Sequence, residues 1–350
     1  MSVIGARPEI IQAAPLTAAL AGRMSEVLVH TGQHYDAAMS GDQILDTGLP
    51  EPALNLGVGS LPDLEQLALS EERLGEAIEQ VRPDAVLVRG DTNATLAAAR
   101  AAVARGLPLL HVEAGLRSWR ADMPEERNRV QTDRLADTLF APTEAARANL
   151  ESEAVSGRVH VTGDPLCDML LRWAPRLPQS PVEGAYVLAT VHRNYNTDEP
   201  ERLQRVLDCL GTSPWPVVFP VHPRTRAKIT AAGLKVPPAV TLHEPVTYSV
   251  MLALEREAQA IATDSGGVQR EAYVWGVPCV TLREETEWVE TVTTGWNTLV
   301  GADAEAFREA LRRERPDEHP PVFGDGRASQ KIAQLTVERL DAVSTAHGYA

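Results

Sequence analysis

Short apolar runs alternate with amphipathic stretches along the whole chain. Runs at 2–4, 27–31, 85–88 and 107–112 read as strands, each followed by a polar or glycine-containing segment. Between them, Leu64, Leu67, Leu74, Ile78 and Val81 recur at helical spacing, which predicts a helix over 61–81. Further helices are expected over 9–20, 92–105, 126–137 and 144–150, with strands at 139–141 and 159–162. Strand–helix alternation of this kind builds a doubly wound parallel sheet, because parallel neighbours need a crossover long enough to hold a helix. A proline-rich stretch, 172–184 (RWAPRLPQSPVEG), then reads as a linker. A second α/β series follows, with strands at 186–191, 217–221, 240–242, 258–263 and 279–282 and a last helix at 329–343. The expected architecture is two Rossmann-like doubly wound parallel-sheet domains facing a central cleft. The first covers 1–171, joined by the C-terminal helix 329–350, and the second covers 172–328.

At 350 residues the chain exceeds what one core usually supports, which agrees with two domains. A formal net charge of −15 argues against non-specific nucleic-acid binding and against anionic membranes. Any anionic ligand needs a local cluster of Arg and His to overcome that field. Cys167, Cys209 and Cys279 are widely spaced and read as small core residues rather than a disulfide frame or zinc site. MSVIGARPE has neither a basic region nor a long apolar run, and no stretch reaches the ~18 apolar residues of a membrane span. A soluble cytoplasmic protein is the expectation.

The polar residues at strand ends carry the chemistry. The strand at 107–112 ends on Glu113, Ala114-Gly115 follow, and Glu125-Glu126 open an arginine-rich helix. The strand at 85–88 ends in Arg89-Gly90-Asp91-Thr92. Strand ends in a parallel sheet converge on one crevice, so Asp91, Glu113 and Glu125 with Arg117, Arg127 and Arg129 suggest acid–base chemistry on an anionic substrate. Blander readings stand beside this. Carboxylates in a first helical turn complement the macrodipole, and Gly-Asp-Thr is a common turn. Glu113 is harder to dismiss, since burial beside Ala114-Gly115 without a partner would cost about 2 kcal/mol or more.

GARPE, 5–9, is either a phosphate clamp through Arg7 or a solvated loop. TGQH, 31–34, adds Gln33 and His34 to the same edge, and Gly32 between His30 and His34 argues against a metal-binding helix. In the second half, TDSGGVQRE offers Ser265 and the N–H groups of Gly266 and Gly267 as an anion site at a helix start. Glu271, two turns on, could accept both hydroxyls of a ribose. A Ser/Asp helix cap with a tight glycine turn is the structural alternative. TVHRNYN and PVHPR end consecutive strands with His192, Arg193 and His222. Neither GxxxxGK[ST] nor GxGxxG occurs.

Taken together, GARPE, TGQH, RGDTNATLAAA, HVEAGLRS, MPEERNR, FAPTE, VTGD, TVHR, PVHP, TDSGGVQRE and FGDG resemble the non-hydrolysing UDP-N-acetylglucosamine 2-epimerase family over essentially the whole chain. The resemblance implies a GT-B fold and an enzyme interconverting UDP-N-acetylglucosamine and UDP-N-acetylmannosamine. In that reaction UDP leaves carbon 1 as the carbon 2 proton is lost, and both return to the resulting glycal. It further implies that Asp91, Glu113 and Glu125 carry proton transfer and that His192 faces the leaving diphosphate. Arg7, Ser265, Gly266 and Glu271 would hold UDP, with Gln33, His34, Arg117, Arg193, His222 and Gly267 as further substrate contacts. No cofactor and no metal is implied, and the partners are a UDP-sugar and a second copy in a homodimer. Three positions depart from the family pattern: Gln12 where Lys is usual, Tyr195 where an acidic residue is frequent, and Trp288 where Arg-Pro is common. TEWVE and GWN look more like relatives acting on UDP-2,3-diacetamido-2,3-dideoxyglucuronate, which is the alternative substrate. A GT-B glycosyltransferase is the alternative enzyme class, and a UDP-sugar-binding regulator the non-catalytic one.

Overall fold

The computed structural model describes residues 1–32 and 47–346, the side chains of 343–346 excepted. The chain divides into two compact units, Met1–Arg172 with Val322–Ala350, and Trp173–Pro321. No helix among the described residues is long and apolar enough to cross a membrane.

The first unit runs β1 (Ser2–Ile4), α1 (Arg7–Leu20), β2 (Leu28–His30), β3 (Leu54–Asn55), α2 (Asp63–Val81), β4 (Val86–Arg89), α3 (Asn93–Val103), β5 (Leu109–Val112), α4 (Pro124–Leu135), β6 (Thr138–Ala141), α5 (Glu144–Ser152), β7 (Arg158–Val161) and α6 (Pro165–Trp173). Its described strands form one parallel sheet in the order β3-β2-β1-β4-β5-β6-β7. The order reverses between β1 and β4, so helices leave to opposite faces and the C-terminal ends of these strands flank a crevice. Leu16, Leu20, Leu87, Leu110, Val112 and Phe140 form a core on one face, completed by Ile332 and Ala333 of the C-terminal helix Ala328–Ala346. Asp168 of α6 draws that helix back, accepting from Ala328 N (3.0 Å) and Ser329 N (2.6 Å).

In the second unit the order is β8 (Val187–Thr190), α7 (Asn194–Thr197), α8 (Pro200–Leu210), β9 (Val217–Pro220), α9 (Pro223–Ala231), β10 (Val240–His243), α10 (Tyr248–Glu257), β11 (Ala260–Thr263), α11 (Gly266–Trp275), β12 (Cys279–Thr281), α12 (Val289–Thr293), β13 (Asn297–Leu299) and α13 (Ala304–Arg312). The sheet is again parallel, β10-β9-β8-β11-β12-β13, with its reversal between β8 and β11. Val187 and Ala189 pack on one face with Leu207, Phe219 and Phe307. Leu188 packs on the other with Leu254, Ile261 and Ala272. Burial on both faces explains why these strands read as continuous apolar runs. Cys167, Cys209 and Cys279 are buried, and burial pushes each thiol up to about 12, in agreement with the core reading.

Two expectations change. The helix predicted from 61 starts at Asp63, because Leu61 precedes Pro62, and a residue before proline is pushed out of the helical region. The expected linker overlaps a helix end: α6 runs to Trp173 and a 3-10 turn, Ala174–Arg176, follows. Its start is set by Asp164, whose Oδ1 accepts from Leu166 N (2.8 Å), with Pro165 in the first turn.

Candidate active site

Sheet topology puts the β1, β4 and β5 ends side by side, and the polar residues there bond across them. Glu113 follows β5 directly and sits at φ +67°, the left-handed region that L-residues other than Asn and Asp seldom adopt. Its Oε2 accepts a hydrogen bond from Gln12 Nε2 of α1. The following turn is tight: Gly115 has φ +85°, and a Cβ there would overlap the Ala146 carbonyl. Asp91, one residue beyond the Gly90 that follows β4, is ion-paired with Arg129. Asn128 Nδ2 donates to the Asp91 carbonyl at 3.1 Å.

The arginine cluster is corrected by the structure. Arg117 is 2% exposed, with its guanidinium on Glu153 (Nε 2.6 Å, Nη2 2.9 Å), on Asp133 (Nη1 2.8 Å) and on the Leu116 carbonyl. It is thus a buried staple between α4 and α5 rather than a group offered to a substrate. Arg127 pairs with Asp63 at 2.9 Å, and Arg129 with both Asp91 and Glu126. Of the acidic pair opening α4, Glu126 accepts from Ser118 N (2.9 Å), Ser118 Oγ (2.8 Å) and Trp119 N (3.1 Å), pinning the loop behind Glu113. Glu125 is half-buried. Arg7 is exposed at the start of α1. Gln33 and His34 lie outside the described residues.

Three residues that sequence reasoning passed over organise this edge. His111, fully buried on β5, donates from Nε2 to the Gly90 carbonyl (2.8 Å) and meets Asp133 Oδ1 through Nδ1 (2.8 Å). Both ring nitrogens are thus bonded. Asp133 also accepts from Gly115 N (3.2 Å), so one buried chain of bonds joins the residue before Asp91 to the turn after Glu113. The available signal was polar: α4 buries Glu126, Asn128, Arg129, Thr132 and Asp133, a helical period written in charge rather than hydrophobicity.

Glu9 is the third. Its carboxylate accepts from Gly5 N (2.5 Å), Ala6 N (2.9 Å), Thr92 Oγ1 (2.6 Å) and Thr95 Oγ1 (2.9 Å), tying the start of α1 to that of α3. A glutamate three residues into a helix, with capping-box spacing, was the clue. Burial pushes this carboxyl above the usual range, and the four hydrogen bonds pull it part of the way back. The folded state therefore holds the proton more tightly than the unfolded chain. The contribution is fullest below the ordinary carboxylate pKa and is lost as pH rises through the folded value. Relative to Glu9→Gln, the wild type should lose stability across that window in urea unfolding. Parallel pH profiles for the two proteins would show that Glu9 does not titrate there.

In the second unit, His192 and Arg193 follow β8, beside the β11 end that carries Asp264. Asp264 is fully buried and accepts from His192 N (3.1 and 3.2 Å), Arg193 N (3.0 Å) and Asn196 Nδ2 (3.1 Å). Its Oδ1 also lies 3.3 Å from His192 Nδ1, which orients a ring whose side chain is 49% exposed. His222 caps α9, its Nδ1 accepting from Arg224 N (3.2 Å). Ser265 is the N-cap of α11, with Oγ accepting from Val268 N (3.4 Å), so the capping alternative holds as well. The two glycines differ. A Cβ on Gly266 would overlap Glu287 and approach Trp288 Nε1 to 3.1 Å, so packing alone requires glycine there. A Cβ on Gly267 would meet only Ser265 Oγ, at 3.7 Å, which leaves this position open to a ligand. Glu271 is buried and accepts from Tyr248 OH (2.7 Å). Trp288 is 1% exposed, with the Arg270 guanidinium 4.1 Å from its ring centroid. Among the described residues, no group of three or more His, Cys, Asp or Glu side chains is arranged to hold a metal.

Known proteins match along the same frame. The family model described as UDP-N-acetylglucosamine 2-epimerase matches residues 18–336. A UDP-N-acetylglucosamine 2-epimerase homolog of Methanococcus maripaludis is 40% identical over 96% of this chain and 98% of its own. The UDP-2,3-diacetamido-2,3-dideoxy-D-glucuronate 2-epimerase of Pseudomonas aeruginosa is also 40% identical, over 95% and 98%. The crystal structure of Methanocaldococcus jannaschii UDP-GlcNAc 2-epimerase in complex with UDP-GlcNAc and UDP aligns with a TM-score of 0.90 at 35% identity, covering 96% of this chain and 99% of that one. The expected two-domain GT-B class is borne out by that likeness together with the two parallel sheets.

Proposed function

The chain belongs to the UDP-N-acetylglucosamine 2-epimerase family, and from that premise we propose that it epimerises UDP-N-acetylglucosamine at carbon 2 by elimination and re-addition of UDP. The observation that carries the reading is Glu113. A half-buried carboxylate held at φ +67° costs on the order of 1–2 kcal/mol of backbone strain, and strain of this kind concentrates at functional sites. Carbon 2 of the sugar has no adjacent carbonyl, so a carboxylate alone cannot take its proton. Removal becomes feasible when the carbon 1–oxygen bond breaks in the same phase and the diphosphate carries off the electron pair. The proton goes to a carboxylate, the carbon 1–carbon 2 double bond forms, and the reverse sequence from the other face inverts carbon 2.

In this reading Glu113, Asp91 and Glu125 exchange the proton and stabilise positive character at carbon 1. Asp91 is held in place by its ion pair with Arg129. His192, aimed by Asp264, and Arg193 take the developing diphosphate charge. Arg7, Ser265, Gly266, Gly267 and His222 hold UDP, and Glu271 its ribose. Arg117 acts only through the turn it supports.

A second substrate, UDP-2,3-diacetamido-2,3-dideoxyglucuronate, is favoured by the 40% identity to the Pseudomonas aeruginosa enzyme and by the TEWVE and GWN segments. Incubation in D2O separates the readings. Deuterium at carbon 2 of one UDP-sugar, with little net UDP release, identifies the substrate. Retention of protium in both would sink the epimerase reading, and acceptor-dependent UDP release would replace it with glycosyl transfer.

A further inference from the structure

Gln12 is 2% exposed on α1, and its two amide heteroatoms have different fates. Nε2 donates to Glu113 Oε2, whereas Oε1 is buried and accepts no hydrogen bond. An ionised carboxylate only accepts, so the nitrogen is the atom that must face Glu113, and the oxygen is left looking for a donor. Buried acceptors without donors are rare in folded proteins and call for an explanation. Packing supplies none. Pro15 and Leu16, three and four residues on and so on the same side of α1, are buried and apolar, and a methionine would fill the same volume with no polar atom to satisfy.

Resting on the proposed reaction, we propose that Gln12 is a specificity residue whose Oε1 accepts the N–H of the acetamido group on carbon 2. Glu113 takes the proton of that carbon, and the acetamido nitrogen is bonded to the same carbon. A side chain hydrogen-bonded to Glu113 therefore reaches the substituent that distinguishes this substrate from an unsubstituted UDP-hexose. A secondary amide N–H is a single neutral donor and suits a neutral amide oxygen. One residue thus aims the base and reads the group beside its target. Both candidate substrates carry this acetamido group, so the assignment holds for either.

The test is a binding cycle on the full chain. Gln12→Met and wild type are titrated with UDP, UDP-N-acetylglucosamine and UDP-2-deoxyglucose. UDP should bind both proteins alike. The acetamido sugar should bind the variant about tenfold more weakly, the worth of one hydrogen bond, while the 2-deoxy sugar shows no such difference. The thermal midpoint of the ligand-free variant should change little, since the orphaned acceptor and the donor to Glu113 are removed together. Gln12→Leu should repeat the pattern. Equal losses for both sugars, a parallel loss of UDP affinity, or no loss at all would overturn the assignment. Absence of carbon 2 exchange in the wild type would instead defeat the reaction, and the binding cycle stays readable in that case.

Discussion

Glu113→Gln is expected to lower deuterium exchange at carbon 2 by about 10²- to 10⁴-fold, the usual worth of a general acid–base group. UDP should bind the variant nearly as tightly as the wild type. Glutamine keeps the shape and the left-handed backbone that Gly115 and Asp133 hold, and its amide oxygen can still accept from Gln12. It cannot take up a proton at neutral pH. Ser265, Gly267 and Glu271, which hold UDP in this reading, sit in the second unit and are untouched. Exchange by NMR and UDP titration on one preparation decide the matter. If UDP binding fell with exchange, Glu113 would be a structural residue and the reaction would need another base.

Asp133→Ala should cost the folded protein about 3 kcal/mol in urea unfolding, the low end of the range for a broken buried ion pair. The loss is large because Asp133 meets three partners at once: His111, Arg117 and Gly115 N. It stays at the low end because Glu153 still holds Arg117 through two bonds. Asn in its place should do little better, since its Nδ2 would turn a donor toward at least one donor. Activity should also fall, as the turn after Glu113 loses its anchor. Wild-type unfolding in Asp133→Ala would show that this network adds nothing to the fold.

Both cases bear on what the residues disclosed before any coordinates. Glu113, Asp91 and His192 were visible because each follows an apolar strand, and topology puts such positions on the ligand edge. Arg117, Arg127 and Arg129 misled for a related reason. Proximity in sequence to those carboxylates looked like a cluster awaiting an anion, yet side-chain direction pairs each of them with a protein carboxylate. Glu9 and Asp264 escaped notice because partners on other elements are far off in sequence: 72 residues separate Asp264 from His192, and 83 separate Glu9 from Thr92. No local period reports a bond across that separation.

By itself the sequence determined the two α/β units, the strand ends where polar residues gather and the family reaction. Those follow from local alternation and from motif order, which are properties of neighbouring residues. Only the tertiary structure decided which charges remain available. Gly90 meets His111, His111 meets Asp133 and Asp133 meets Arg117 because β4, β5 and α4 pack together, and burial obliges each polar group to find a partner. The same packing left the Gln12 oxygen without one. A charge written in sequence becomes a site or a staple according to what folds against it.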